Sequence, residues 1–518
     1  MNWFRRFWEN LFLKKQRKTD IESTSPLTKH EAIKPPPDST VIRHKGKPEI
    51  ESTPPLPKHE TFTSTQDTTT PVHKRLDPYF IQIGFDFGTS YSKCICRDVM
   101  KNKAWVYIYS KSRDKELPFL IPSTLVIEKN NISHVADTSI HYPENGLYHI
   151  KNALVFVADG CMDHPSLAPY HNAVQLKDPN QYPSFVVACA VYLLAGTFGE
   201  IREQVHERFP GFGSHPEDYM SVNLAVPVES AQKPQVHRLY KRILSEAWGL
   251  ADQLAGHPRL HLSELQSLRK KNWENRDQFD DACFVYPEVS ANVQGFVRSR
   301  VSSPGIYMFS DTGGGTVDQS IFIFIRQDYR EHLSYLAGRV LPLGSSIIER
   351  FAAEKCGKTD CMTLENWRER KERGEETPEL IEARSRIYNQ LERGSEGTLA
   401  LAKRKLYVPE QLNDIRVIFG GGGHCDYPYK KAVMVPFSGQ LFRKAFSPDV
   451  IGLPVPKDME LNDHETKWMR RLNVAYGLSF ERSELAPFTY PNEMSDPKPE
   501  EIWRSRRIIP DAPTQDMC

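Results

Sequence analysis

The chain has 518 residues, a formal net charge of +1, 39% hydrophobic and 26% charged residues. That length predicts two to four packed units, or one two-lobed domain with appendages, and the near-neutral balance argues against a nucleic-acid binder or a disordered polyelectrolyte. Nine cysteines without framework spacing point to reduced thiols in a cytosol-like compartment, and 17 histidines form no HExxH or paired CxxC pattern, so a protein-ligated transition metal is not expected.

Residues 1–18 place Trp3, Phe4, Phe7, Trp8, Leu11 and Phe12 on one helical face at about 100° per residue. Arg5, Arg6, Lys14, Lys15, Arg17 and Lys18 against Glu9 give a side-chain charge of +5. This combination suits a helix lying in an anionic membrane interface, with docking on a protein as the alternative. Residues 19–78 hold ten prolines and sixteen Ser/Thr, too little apolar surface to offset ordering entropy, and predict a disordered tether. Within it, residues 21–31 recur as residues 50–60, matching at nine of eleven positions. The recurrence reads as a duplication in a flexible linker, or as a doubled docking motif.

Folded sequence begins at Phe80. Residues 81–90 alternate as a strand into a tight turn, and residues 91–97 form the returning strand of a hairpin. In its tip Gly88 lets the backbone approach a polyanion, Thr89 and Ser90 add donors, and Asp86 can hold magnesium through water. The longest apolar stretch, residues 185–198, is too short to cross a bilayer and reads as a packed helix. A second turn, Asp311-Thr-Gly-Gly-Gly-Thr-Val-Asp318, again lies between strands. Gly313, Gly314 and Gly315 cost about 1 kcal/mol each relative to alanine, so close approach of a ligand is the economical explanation. Asp311 and Asp318 flank this turn as metal or water ligands, and Thr316 supplies a hydroxyl. A third strand, from Ile415, ends in Gly420, Gly421, Gly422 and Gly423 before His424, where a base or ribose can lie against bare backbone. None of the three fits a P-loop or a GxGxxG turn entering a helix.

Taken in order, Asp86-Phe-Gly-Thr-Ser-Tyr91, Asp311 to Asp318, and Phe419-Gly-Gly-Gly-Gly423 resemble the two phosphate motifs and the adenosine motif of the ATPase domain of the seventy-kilodalton heat-shock chaperones. Weaker similarities at Ile121-Pro-Ser-Thr124, Ala225-Val-Pro-Val228, Pro287-Glu-Val-Ser-Ala291, Leu343-Gly344 and Val474-Ala-Tyr-Gly-Leu478 extend the resemblance over roughly residues 80–480. It implies an α/β, two-lobed actin-like ATPase fold of duplicated ribonuclease-H-like domains, with lobe I at 79–295, lobe II at 296–485 and a tail at 486–518.

The resemblance also implies ATP or ADP with magnesium between the glycine turns, contacting Gly88 to Tyr91, Gly313 to Thr316 and Gly420 to His424. Asp86 and Asp311 would hold the metal's water shell, Glu288 would place the attacking water, and Lys151 would stand near the terminal phosphate. Thr316 and Asp318 would contact phosphate or metal, and His424 takes the place where the chaperones stack an arginine on adenine. Plainer roles stay open: helix capping for Glu288, a solvated lysine at 151, a turn-fixing pair at 316 and 318, and a loop histidine at 424.

Several features depart from the family. Pro287 and Glu288 stand in inverted order, and only 75 residues separate Gly344 from Gly420, which shortens the part that clasps the adenosine. Its helix, at 382–405, carries Arg384, Arg386 and Lys403 as candidates near the base, while residues 368–382 read as a solvated charged face. With 38 residues after Phe480, no peptide-binding module is expected. The expected function is an ATP-driven conformational switch, a cytoplasmic ATP hydrolase acting on a protein partner or client, peripheral at the inner face of a membrane if residues 1–18 bind lipid. An actin-like filament or membrane scaffold, and a nucleotide sensor without turnover, are the alternatives. A sugar or acetate kinase would need a base and a substrate pocket that the sequence does not display.

Overall fold

The computed structural model describes residues 75, 77–164, 167–174, 181–226, 233–273, 281–299, 302–327, 330–425, 427–439 and 441–494. The expected helix at 1–18, the repeat-bearing linker as far as residue 74, Pro227 and Val228, and the tail beyond 494 lie outside the described residues. Of the two units into which the chain divides, Met1–Val72 and His73–Cys518, only the second contains described residues.

Alternating and continuously apolar runs between glycine turns produce a mixed α/β architecture with three sheets among the described residues. The first sheet starts as an antiparallel meander of β1 (Phe80–Asp86), β2 (Tyr91–Asp98) and β3 (Lys103–Val106). Next come β4 (Ile121–Pro122), which pairs with β2, and then β5 (Leu125–Glu128), β6 (Asn131–His134) and β7 (Gly146–Leu147) of a small separate sheet. The chain returns to the first sheet with β8 (Tyr219–Val226), parallel to β1, adds β9 (Arg259–His261) to the small sheet, and places β10 (Cys283–Pro287) parallel to β8.

The second large sheet repeats the plan. Here β11 (Gly305–Thr312), β12 (Val317–Gln327) and β13 (Arg330–Leu341) form an antiparallel meander. Parallel strands β14 (Arg416–Gly421) and β15 (Val450–Ile451) then extend it from the β11 side. Strand order is therefore 10-8-1-2-3 in one sheet and 15-14-11-12-13 in the other, with the same pattern of directions. Short strands β16 (Met459–Glu460) and β17 (Phe488–Thr489) close the outer edges against β3 and β13.

The helices that matter for the site are α1 (Ile150–Ala158), α2 (Tyr182–Arg208), α3 (Pro234–Leu254), α4 (Glu288–Asn292), α5 (Ser346–Lys355), α6 (Cys361–Glu372), α7 (Pro378–Lys405) and α8 (Met469–Leu478). The apolar run at 185–198, expected to be too short for a bilayer, is the middle of the 27-residue α2, which is long and apolar enough to cross one. It is mostly buried, with Phe198 meeting Phe85 of β1 edge-on at 5.1 Å. Helix α8 ties the two sheets together. It lies so close to β1 that a Cβ on Gly84 would stand 2.1 Å from the Ala475 carbonyl, and a Cβ on Gly477 would stand 1.7 Å from that of Ala291. Asn223 of β8 donates to the Leu478 and Phe480 carbonyls at 2.7 and 2.9 Å, capping the same contact.

Candidate functional site

Strand register sets the first two acidic positions. In the β1–β2 hairpin Asp86 lies opposite Lys93, whose ammonium donates to Asp86 Oδ2 at 2.7 Å. In the β11–β12 hairpin Asp311 lies opposite Asp318, so two buried carboxylates face one another across the ladder. Thr316 Oγ1 donates to Asp318 Oδ2 at 2.9 Å, and Asn292, at the end of α4, donates to Asp311 Oδ2 at 2.7 Å. At the start of α4, Glu288 accepts from Lys151 of α1 at 3.0 Å, and both side chains are buried.

Burial and charge set the protonation of this cluster. Burial works against the Lys151 ammonium, but Glu288, then Asp86 and Asp318, outweigh it and hold Lys151 charged above its ordinary range. Burial, followed by the charge of Glu288, pushes Asp311 up to about 7, while Asn292 and Lys93 pull the other way. The same two causes raise Asp318 well above the usual carboxylate range. Asp86, Lys151, Glu288, Asp311 and Asp318, read separately from the sequence, thus interact as one charge cluster. Lys93 and Asn292 also belong to it and were missed. Lys93 pairs with Asp86 across six intervening residues, 87–92, a register that the four-residue gap between the strands does not by itself dictate; Asn292 lies one helical turn beyond Glu288.

The glycine turns pack on one another. A Cβ on Gly314 would lie 2.1 Å from Ser90 Oγ, and one on Gly315 would lie 2.6 Å from Thr89 Cγ2, so the tips of the two hairpins touch. Behind them, the carbonyls of Gly313, Gly314 and Gly315 accept from the amides of Ser345, Ser346 and Gly344 at 3.0, 2.8 and 3.2 Å. Close chain packing is therefore a second reason for these glycines beside the approach of a ligand. Among the described residues, the amides of Gly314, Gly315 and Thr316 take no backbone acceptor, which leaves donors of the kind that bind anions.

The third turn wraps around Asp311. Gly420 pairs with Asp311 in the β11–β14 register, and Gly421 has φ +78° with its would-be Cβ 2.3 Å from Asp311 Oδ1. A Cβ on Gly422 would meet Arg471 Nη1 at 2.2 Å, and one on Gly423 would meet Thr312 Cγ2 at 2.6 Å. His424 donates through Nδ1 to the Gly421 and Gly420 carbonyls at 2.8 and 3.0 Å, burial lowers its pKa, and its ring lies 18° from the plane of Phe419. Beside it opens a cavity of about 290 Å³, lined in part by Phe419, His424, Ile451, Leu453, Met469 and Arg470.

Other expectations are placed elsewhere. Arg384 donates to the Glu375 carbonyl, Arg386 lies over the Phe351 ring at 3.8 Å, and Lys403 donates to the Leu441 carbonyl, so each has a partner within the protein. The stretch from residue 368 is not simply a solvated face, because Arg368 is buried between Glu365 and the Ser139 carbonyl. Tyr91 turns its hydroxyl to His141 rather than toward the glycine turn.

Asp318 Oδ1 is buried without a hydrogen-bond partner, and two neighbouring carboxylates are held above their usual range, so the cluster fits a cation. Among the described residues no group of three or more His, Cys, Asp or Glu side chains is arranged to hold a metal directly. A cation here would be held largely through water. Comparison of the chain with protein-family models and with curated proteins gave no match.

Proposed function

We propose that the protein binds ATP with magnesium and hydrolyses it, on a two-lobed actin-like scaffold of duplicated ribonuclease-H-like domains. The observation that carries this reading is the convergence of Lys151 and Glu288, 137 residues apart in sequence, as a buried ion pair beside Asp86, Asp311 and Asp318. The shared strand order of the two large sheets supports a duplication, with the division between lobes at the helix Gln294–Val297.

Amides of Gly314, Gly315 and Thr316, with the hydroxyls of Thr89 and Ser90, supply donors for phosphate oxygens. Lys151 neutralises the terminal phosphoryl group, and Glu288 accepts hydrogen from the water that attacks it. Magnesium, held by Asp86, Asp311 and Asp318 through water, would offset charge at the bridging and leaving oxygens. Neutral His424 and Phe419 offer aromatic surface for the base, next to the cavity of about 290 Å³.

Glu288→Gln tests the assignment, because the amide oxygen still accepts from Lys151 while basicity is lost. Single-turnover hydrolysis by the full chain is expected to fall roughly 100-fold with ATP binding retained. An unchanged rate would remove Glu288 from the chemistry, and binding without turnover in the wild type would make the protein a nucleotide sensor. We further propose that the switch acts on a protein partner, with residues 1–18 contacting an anionic membrane. Flotation of the full chain with anionic liposomes, lost on deleting residues 1–18, is the expected result; flotation unaffected by the deletion would exclude the anchor.

A further inference from the structure

A strap of chain between β6 and β7 is locked to helix α6 by contacts that the charge cluster does not use. Glu365 of α6 accepts the backbone amides of His141 and Tyr142 on one carboxylate oxygen, at 3.0 and 2.9 Å. Its other oxygen takes Arg368 Nε at 2.9 Å, and Arg368 also donates to the Ser139 carbonyl at 3.2 Å. Deeper in, the Tyr142 hydroxyl donates to Glu349 of α5 at 3.0 Å, and Lys371 of α6 bridges Glu349 and the Ser345 carbonyl at 2.6 and 3.0 Å.

Both ends of this network reach the glycine turns. At one end His141 hydrogen-bonds the hydroxyl of Tyr91, the residue that follows the first turn. At the other, Ser345 donates its amide to the Gly313 carbonyl of the second turn. The strap therefore spans the two hairpins whose tips meet at Ser90 and Gly314, joining segments more than 200 positions apart, as 141 and 365 are.

We infer that the strap at 139–142 and helix α6 form a clasp that must part for nucleotide to enter or leave, with Glu365 and Arg368 as positioning residues that hold it shut. This inference rests on the ATP-binding reading. A carboxylate that accepts two backbone amides and pairs with a largely buried guanidinium is costly to separate one partner at a time, so the clasp opens as a unit.

The test is dissociation of a fluorescent ADP from the full chain, measured by stopped flow, beside single-turnover hydrolysis of pre-bound ATP. Glu365→Ala removes both amide acceptors and is expected to speed dissociation at least about tenfold, with hydrolysis of bound ATP changed less than about twofold. Glu365→Gln keeps an acceptor oxygen but loses the ion pair, and is expected to fall between wild type and Glu365→Ala; it also serves if Glu365→Ala fails to fold. Dissociation unchanged in either folded variant, or hydrolysis and dissociation falling together, overturns the clasp. A wild-type chain that takes up no nucleotide instead overturns the reading on which the clasp stands.

Discussion

At the scale of single residues, the site is a problem in charge compensation. Among the described residues, Asp86 pairs with Lys93 and Glu288 with Lys151, Asp311 and Asp318 lie buried beside them, and the excess negative charge is relieved by holding protons on Asp311 and Asp318. Because the folded state raises Asp311 from an ordinary 3.8 to about 7, it binds more protons than the unfolded chain across that interval. This group's contribution to stability is intact at pH below 3.8 and is lost as the pH rises through about 7. Asp311→Asn removes that loss, so in magnesium-free buffer the variant is expected to gain thermal stability over the wild type progressively from pH 3.8 to about 7 and to level off above that, by at most roughly 4 kcal/mol. A difference in Tm that stays flat with pH would show that Asp311 is not held protonated. Added magnesium is expected to narrow the difference at the upper end.

The same residues show what sequence could and could not reveal. Asp86, Asp311 and Asp318 were legible because glycine turns between alternating strands mark hairpin tips, and a hairpin fixes which residues face each other. Lys93 was read only as part of the returning strand, and its pairing with Asp86 was not legible, because the observed register lies two residues beyond the one a tip at 87–90 would give. The pairing of Lys151 with Glu288 depends on α1 and α4 meeting in space, which no local periodicity encodes. Arg368 was misread for the same reason: within its own helix it belongs to a charged run, and only the strap, from far earlier in the chain, removes it from water.

At the scale of elements, the second glycine turn is held from behind as well as offered to the front. Residues 344–346, leading into α5, take up three of its carbonyls, and Gly344 approaches so closely that a Cβ would lie 2.3 Å from the Gly314 oxygen. Gly344→Ala must therefore displace backbone, and is expected to lower nucleotide affinity at least about tenfold while far-ultraviolet circular dichroism stays that of the wild type. Titration of ATP into both proteins checks it, and equal affinities would show that the turn does not need this backing. The glycine content of the turns was legible, but its twofold cause was not, since a sequence does not say which face of a turn meets chain and which meets solvent.

At the scale of the whole molecule, two sheets of the same strand order are joined through α8, which threads between β1 and α4 on contacts that only Gly84 and Gly477 permit. Positions in α4 set Glu288 and Asn292, so the helix that couples the sheets also bears on the charge cluster. This gives a physical route by which relative movement of the two sheets would alter the site, as a nucleotide-driven switch requires. The repeated strand order could not be foreseen in full, because β15 and β16 are two-residue strands set by tertiary pairing rather than by their own propensity. The most direct measurement is a calorimetric titration of ATP into the full chain in magnesium buffer. Saturable binding at one site per chain, weakened when magnesium is withheld, is the predicted result. A folded chain that gives no saturable heat at millimolar ATP would contradict the account.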